Sequence, residues 1–185
     1  DINNQGPFST DFIGMNYEYP EANDSRRKEI YEMHKDYTLG LLYFVGNDVR
    51  VPKHIRDEMS LFGYPSDEYI ENHHFTPQLY IRESRRMIGE YIMTEHNCFH
   101  RTTVQDGIVN ASYTVDSHNV ERIVLNGMVK NEGDVQIHVV KPYYVSYGAI
   151  IPKRSECTNL LVPVCLSASH SSYGSIRMEP VFMEL

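Results

Sequence analysis

The chain has 185 residues, of which 41% are hydrophobic, and it contains 14 Tyr, 7 Phe and no Trp. A chain of this length and composition buries a sizeable core, which excludes wholesale disorder. The net charge of −8 and the short basic clusters at 26–28 and 85–86 argue against nucleic-acid binding, because phosphate contacts need many clustered Lys and Arg side chains. No apolar run approaches the roughly 18 residues of a membrane-spanning helix, so we expect no membrane span.

The first half of the chain carries helical patterns. Residues 1–23 combine turn-forming residues with scattered aromatic residues, which is typical of irregular backbone docked on a core. Helical spacing of apolar residues then predicts a helix from an N-cap at Asp24 or Ser25 to about Val45. Its apolar face consists of Ile30, Met33, Tyr37, Leu41 and Phe44. A second, shorter helix is predicted after Pro52, and a third over 87–94.

The second half carries strand patterns. From Val104 onward, β-branched and Tyr residues replace the helical spacing, and Asn126-Gly127 predicts a hairpin turn. Strands are predicted over 108–115, 120–125, 135–139, 143–151 and 160–166. The predicted fold class is therefore α+β, with N-terminal helices followed by a mostly antiparallel sheet of about five strands and a final truncated helix.

The last stretch is the part most informative about function. The apolar run 160–166 leads into a loop of small residues, 167–174, and then into an apolar helix-like segment, 175–185. A strand, a small-residue loop and a helix start in this order present free backbone N–H groups to a phosphate or an electron-rich ring. The helix is apolar around much of its circumference and has no stop signal, so we expect the chain to be part of a longer polypeptide.

Several motifs together resemble one family. They are DINN at 1–4, FSTDFIG at 8–14, LYIRESRRM at 79–87, YIMTEH at 91–96, DSHN at 116–119, and LSASH with SIRMEP between 166 and 180. With them the chain resembles the bacterial FAD-dependent oxidoreductases that are distantly related to the flavoprotein subunit of fumarate reductase and succinate dehydrogenase. The resemblance is most specific in the last motif and in the Arg-rich stretch 82–86.

The resemblance implies a longer protein that binds FAD. Its amino-terminal half would be a Rossmann-type domain with a Gly-x-Gly-x-x-Gly turn for the pyrophosphate, and this chain, 1–185, would be the substrate-side, flavin-contacting portion. Within it we expect an irregular arm with helices over 1–103, and strands with the final helix over 104–185. None of the 11 glycines forms the Gly-x-Gly-x-x-Gly turn, so we expect this chain alone to retain no FAD and to be inactive.

The resemblance also implies residues for a hydride transfer between flavin and an unidentified small organic substrate. Arg suits anionic substrate groups, and His suits proton transfer near neutral pH. The implied catalytic residues are His170, Arg177 and Arg85. The implied cofactor-binding residues are Ser167, Ser169, His170, Gly174 and Ser175, and the implied substrate-binding residues are Arg82 and His118.

These residues also have plainer structural explanations. Arg177 can pair with Glu179, and His170 can cap the final helix. Arg82 and Arg85 can pair with the carboxylates that the chain has in excess.

We predict no metal site. The adjacent His73 and His74 rarely bind one ion together, and His96 and His100 share a face only if their segment is helical. Three widely spaced cysteines, an odd number, indicate neither a disulfide framework nor a zinc ribbon.

Two other functions are open on the sequence alone. A non-enzymatic carbohydrate- or ligand-binding module suits the acidic, Tyr-rich composition and the missing dinucleotide turn. A glycoside-active enzyme would use paired carboxylates such as Asp11 with Glu18 or Glu179. On the flavoprotein interpretation, the partners are a small-molecule substrate and the missing Rossmann half, and exposed apolar surface would let the chain self-associate. The start of the chain looks trimmed, so cytoplasmic and exported proteins are both open.

Overall fold

The structure is a computed structural model that describes residue 6 and residues 8–81 and 85–169. The chain folds as two compact units, residues 1–81 with 121–131, and residues 82–120 with 132–185. None of the helices in the described part combines the length and the apolar composition that crossing a membrane requires.

Helices come early and strands late within the described residues. The α-helices are α1 (Asp24–Asn47), α2 (Lys53–Met59) and α3 (Glu95–Cys98). The strands are β1 (Gly107–Ala111), β2 (Val115–Ser117), β3 (Glu121–Leu125), β4 (Met128–Glu132), β5 (Val135–Ile137) and β6 (Tyr143–Ser146). They form three two-stranded sheets, β1 with β6, β2 with β5, and β3 with β4. The predicted α+β class is confirmed, with six short strands in three antiparallel pairs in place of one sheet of about five.

The first unit is built around α1. The helix begins one residue earlier than predicted, because the side chain of Asn23 accepts a hydrogen bond of 2.9 Å from the backbone N–H of Arg26. The predicted apolar face turns inward, with Ile30 fully buried and Tyr37 half-buried. The predicted second helix is present as α2, directly after Pro52.

The irregular segment before α1 docks on that apolar face. The Phe12 ring stacks on Tyr37 at a centroid distance of 4.3 Å and meets His34 edge-on at 5.2 Å. The Tyr37 hydroxyl donates a hydrogen bond of 2.7 Å to the carbonyl of Ser9, whose own side chain is buried. Phe12 therefore anchors this segment on α1.

The predicted hairpin turn joins β3 to β4. Asn126 has φ 52° and Gly127 has φ 74°, so both central residues adopt the left-handed conformation of a type I′ turn. Asn and Gly tolerate this conformation best, which is why the dipeptide identified the turn.

The second unit holds the larger core. Val109 pairs with Val145, and Ala111 pairs with Tyr143, across the β1–β6 ladder, and all four side chains are buried. They pack with Met93, Cys98, Val115, Ala149, Ile150 and Leu166 in one cluster. Helix α3 is held by a capping box between Thr94 and Asn97.

Two predicted elements of the second unit are wrong. Residues 87–94 are not a helix but irregular backbone with bends at 90 and 91, an antiparallel bridge from Gly89 to Pro152 and a parallel bridge from Met93 to Ala168. Ile88, on the predicted buried face, is 61% exposed. The run 160–166 forms no regular strand, although its last residue, Leu166, is buried. The predicted final helix, 175–185, lies outside the described residues.

Candidate functional site

The described beginning of the small-residue loop, 167–169, is held by backbone hydrogen bonds on both sides. The Ser167 N–H donates to the Ala149 carbonyl at 2.8 Å, and the Ser167 carbonyl accepts from the Met93 N–H at 3.0 Å. The Ser169 N–H donates to the Met93 carbonyl at 2.9 Å. The N–H groups of both serines are therefore used within the protein, so a ligand would have to pair with other atoms of these residues.

The hydroxyl group of Ser167 is buried, and it has no hydrogen-bond partner among the residues that the structure describes. Six polar residues are buried in the described part of the chain, and the side chains of the other five, Ser9, His34, Asn97, His118 and Ser146, are all hydrogen-bonded. Ser167 is 1% exposed, and its Oγ bonds to no residue that the structure describes. A buried, unpaired hydroxyl group costs free energy, so this atom suits a ligand that pairs with it.

Gly89 lies directly against Ser167. A Cβ at this position would be 3.1 Å from the Ser167 Cβ, 2.7 Å from the Ile151 carbonyl oxygen and 2.8 Å from the Gly148 carbonyl oxygen. Only glycine allows the backbone of 87–93 to lie this close to Ser167 and to the Ile151 and Gly148 carbonyls. The glycine therefore helps to set the position of the Ser167 side chain.

Asp106 holds the turn that carries Ala149. Its Oδ2 accepts hydrogen bonds from the Ser146 hydroxyl at 2.8 Å and from the Gly148 N–H at 2.9 Å. Partial burial alone would raise the pKa of this carboxyl, but the hydrogen bonds from Gly148, Ser146 and its own backbone outweigh burial and lower its pKa. The ionised carboxylate therefore stabilises the turn.

We expect Asp106→Asn to lower the free energy of unfolding by about 1 kcal/mol at neutral pH, because the charged acceptor is lost at a site partly open to water. A lowered folded-state pKa means that the carboxylate stabilises the fold above its ordinary pKa of 3.8, and that this contribution is lost as the pH falls through the folded-state pKa. Urea unfolding of both proteins at neutral and acidic pH should therefore show a difference that shrinks in acid. Asp67→Asn, in an exposed loop, should show no such difference, and a constant deficit for Asp106→Asn would contradict the charge argument.

A groove of about 360 Å³ lies in the same unit. Its lining combines apolar side chains with an Arg, a Tyr hydroxyl group and small polar groups. The lining residues are Tyr147, Ile151, Pro152, Arg154, Cys157, Thr158, Asn159, Leu160 and Leu161. The volume lies within the roughly 300–1,000 Å³ of small-molecule sites. The 87–93 segment and Ala149 surround and hold Ser167, and together we call them the frame around Ser167. Ile151 and Pro152, which line the groove, also pair with the 87–93 segment. The groove therefore lies next to this frame.

The structure describes four of the predicted site residues, Ser167, Ser169, Arg85 and His118. Ser167 is buried, and Ser169 is exposed two residues further on. Arg85 is exposed, and it lies two residues before Met87, whose N–H donates to the Cys165 carbonyl at 3.0 Å. His118 is buried after β2, with Nδ1 3.1 Å from the Asn119 carbonyl oxygen. The other predicted site residues, Arg82, His170, Gly174, Ser175 and Arg177, lie outside the described residues.

Gly89, Asp106 and Arg154 were not predicted to belong to this region. Their contacts join residues far apart in the sequence, so helical or strand spacing does not reveal them. The signal that was present is Gly89 itself, since a glycine inside a helical pattern often marks a close approach of backbone.

Cys98, His96 and His100 lie in or next to α3. Burial raises the pKa of the Cys98 thiol to about 11, so it stays protonated at neutral pH, and burial likewise raises the pKa of its hydrogen-bond partner Tyr143. His100 lies beyond α3 with φ 56°, so it does not share a helix face with His96. The described residues contain no group of three or more His, Cys, Asp or Glu that could hold a metal ion.

Comparison with known proteins identifies the family. Searches of curated proteins and of solved structures find no match to this chain. The model of one protein family, described as FAD dependent oxidoreductase, matches residues 1–185. The chain therefore belongs to the FAD-dependent oxidoreductase family, whose members bind FAD, and has a general oxidoreductase role.

Proposed function

We propose that this chain is the substrate-side, flavin-contacting part of an FAD-dependent oxidoreductase that transfers hydride between flavin and a small organic substrate. The observation that carries the proposal is the buried hydroxyl group of Ser167, which pairs with none of the described residues and begins the loop expected to meet the cofactor. When FAD is bound, its flavin supplies the hydride chemistry. The protein binds and orients the reactants and moves the proton.

The frame around Ser167 supports a role in holding FAD. Ser167 offers a fixed hydroxyl group, and Ser169 offers an exposed side chain two residues further on. His170, Gly174 and Ser175 complete the proposed cofactor-binding set. Because the N–H groups of Ser167 and Ser169 already bond to protein carbonyls, these two residues would contact the cofactor through their side chains.

The groove beside this frame is the proposed place for the substrate. Its apolar residues would pack against a small organic molecule, while Tyr147 and Arg154 would orient polar or anionic groups on it. Among the predicted site residues, His170 would exchange a proton with the substrate, and Arg177 and Arg85 would orient it. Arg82 and His118 would add substrate contacts.

The pyrophosphate of FAD requires a part that this chain does not contain. None of its glycines forms Gly-x-Gly-x-x-Gly, and we propose that a Rossmann half on the same polypeptide supplies that turn. The 185-residue chain alone would then retain no tightly bound FAD, whereas the polypeptide carrying both parts would be yellow. A colourless, folded two-part protein that takes up no added FAD would contradict the proposal and favour the ligand-binding module.

Replacing Ser167 with Ala tests the cofactor contact. In the two-part polypeptide we expect Ser167→Ala to weaken FAD binding by about threefold to tenfold, which corresponds to one lost hydrogen bond. In the 185-residue chain without FAD, the same change should leave the free energy of unfolding unchanged or slightly higher, because it removes an unpaired buried hydroxyl group. FAD titration and urea unfolding measure the two effects.

Ser155→Ala is the matched control, because Ser155 is exposed in the turn after β6. It should change neither FAD affinity nor stability. A Ser167→Ala protein with unchanged FAD affinity would show that this hydroxyl group does not contact the cofactor.

A further inference from the structure

The guanidinium group of Arg122, in the first unit, is half-buried, and its partners among the described residues are neutral groups. Its Nε donates to the Asn131 Oδ1 at 3.2 Å, one Nη donates to the Tyr37 hydroxyl at 3.1 Å, and the other donates to the Asp11 carbonyl at 3.4 Å. No carboxylate in the described part of the chain pairs with it. A partly buried cation with only neutral partners is costly unless an anion completes its surroundings.

Two other arginines of this chain are neutralised by carboxylates, whereas Arg56 contacts only the backbone carbonyls of Asp48, Val49 and Val51. Arg26 pairs with Glu18 at 2.8 Å and with Glu29 at 2.9 Å. Arg101 likewise pairs with Glu95 at 2.8 Å. The chain has 25 acidic residues against 17 basic ones, so an arginine without a carboxylate partner is not explained by a shortage of acids.

The guanidinium group is held in one orientation. The Tyr37 hydroxyl donates to the Ser9 carbonyl, so it meets Arg122 as an acceptor, and the Tyr37 ring is fixed by its stacking on Phe12. Asn131 is fixed by a second hydrogen bond of 2.8 Å, from its Nδ2 to the Gly6 carbonyl. Three of the five guanidinium N–H groups are used, which leaves one on each Nη nitrogen. Two such donors suit an oxyanion.

His34 belongs to the same aromatic cluster. It is 9% exposed, its Nδ1 lies 2.8 Å from the Ile30 carbonyl oxygen, and its ring packs against Phe12. The bond to Ile30 places the hydrogen on Nδ1. With the hydrogen on Nδ1, Nε2 is an acceptor and offers no hydrogen bond to an oxyanion.

We propose that Arg122 is the anchor of an oxyanion-binding site on the first unit, formed over the Phe12–Tyr37 stack. The ligand chemistry is a carboxylate or a phosphate group, which accepts the two remaining guanidinium hydrogens. The site shares no residue with the frame around Ser167, because all of its residues belong to the first unit. It can therefore be tested without any flavin in the assay.

The test uses the 185-residue chain with two probes, sodium malonate for a carboxylate and inorganic phosphate, each compared with sodium chloride at equal ionic strength. We expect at least one probe to shift the Arg122 side-chain NMR signal saturably and to raise the unfolding temperature, and chloride to do neither. The tighter probe distinguishes a carboxylate from a phosphate ligand. The absence of a saturable Arg122 shift with both probes would overturn the proposal.

Two variants separate binding from a purely structural role. Arg122→Gln should weaken binding of the probe by about tenfold or more, since a charge-assisted pair of hydrogen bonds is lost. Arg26→Gln, at an arginine already neutralised by carboxylates, should leave probe binding unchanged. A folded Arg122→Gln protein that binds the probe as tightly as the wild type would show that Arg122 only ties the segment to α1. If that variant does not fold, the wild-type Arg122 signal decides the question.

Discussion

Replacing Gly89 with Ala is expected to lower the free energy of unfolding by about 3 kcal/mol, one of the largest effects of any single substitution in the second unit. The new methyl group would lie within 3 Å of the Ile151 and Gly148 carbonyl oxygens. Neither carbonyl can move freely, because they accept hydrogen bonds from the N–H groups of Glu90 at 3.3 Å and Tyr91 at 3.0 Å. Urea unfolding of the 185-residue chain measures the loss.

Gly40→Ala is the matched control for this substitution. Gly40 lies within α1, and no heavy atom lies within 4 Å of the position that its Cβ would take. Alanine has a higher helix propensity than glycine, so this substitution should raise the free energy of unfolding by up to about 1 kcal/mol. Effects of the same sign and size at the two positions would contradict the close approach at Gly89.

Leu166→Ala should have the second large effect, and we expect it to lower the free energy of unfolding by about 3 kcal/mol. Leu166 is 0% exposed and packs in the core cluster with Met93, Val145 and Ile150. Truncation removes buried apolar surface and leaves a cavity that the surrounding backbone cannot fill, because Ser167 is fixed by its bonds to Ala149 and Met93. Chemical unfolding monitored by circular dichroism measures the change.

Leu160→Ala provides the comparison within the same apolar run. Leu160 is 51% exposed and lines the groove, so its truncation should cost less than about 1 kcal/mol. Equal losses in the free energy of unfolding for the two substitutions would contradict the finding that Leu166 is buried and Leu160 is exposed.

These substitutions also bear on the proposed function. Gly89 and Leu166 both set the position of Ser167, so in the two-part polypeptide their variants should lose FAD affinity together with stability. Ser167→Ala should lose affinity alone. This contrast separates a damaged frame from a lost cofactor contact.

The local signals in the sequence were sufficient for several elements. Helix α1 follows from the spacing of its apolar face, and the β3–β4 hairpin follows from Asn126-Gly127, because each depends on residues within a few positions of one another. The last motif, together with the Arg-rich stretch, was sufficient to identify the family that the matching family model shows.

By itself, then, the sequence determined the α+β class, the first helices, the hairpin and the flavoprotein family. Only the tertiary structure decided that 87–93 is not helical and that Leu166 is buried while Leu160 is exposed. It also decided that, among the described residues, the Ser167 hydroxyl group has no hydrogen-bond partner and the Arg122 guanidinium group has no carboxylate partner. The physical reason is the range of the interactions. Helical spacing in 87–94 is overridden by hydrogen bonds to carbonyls about 60 or more residues away, such as that of Tyr91 to Gly148, and no local pattern specifies those partners.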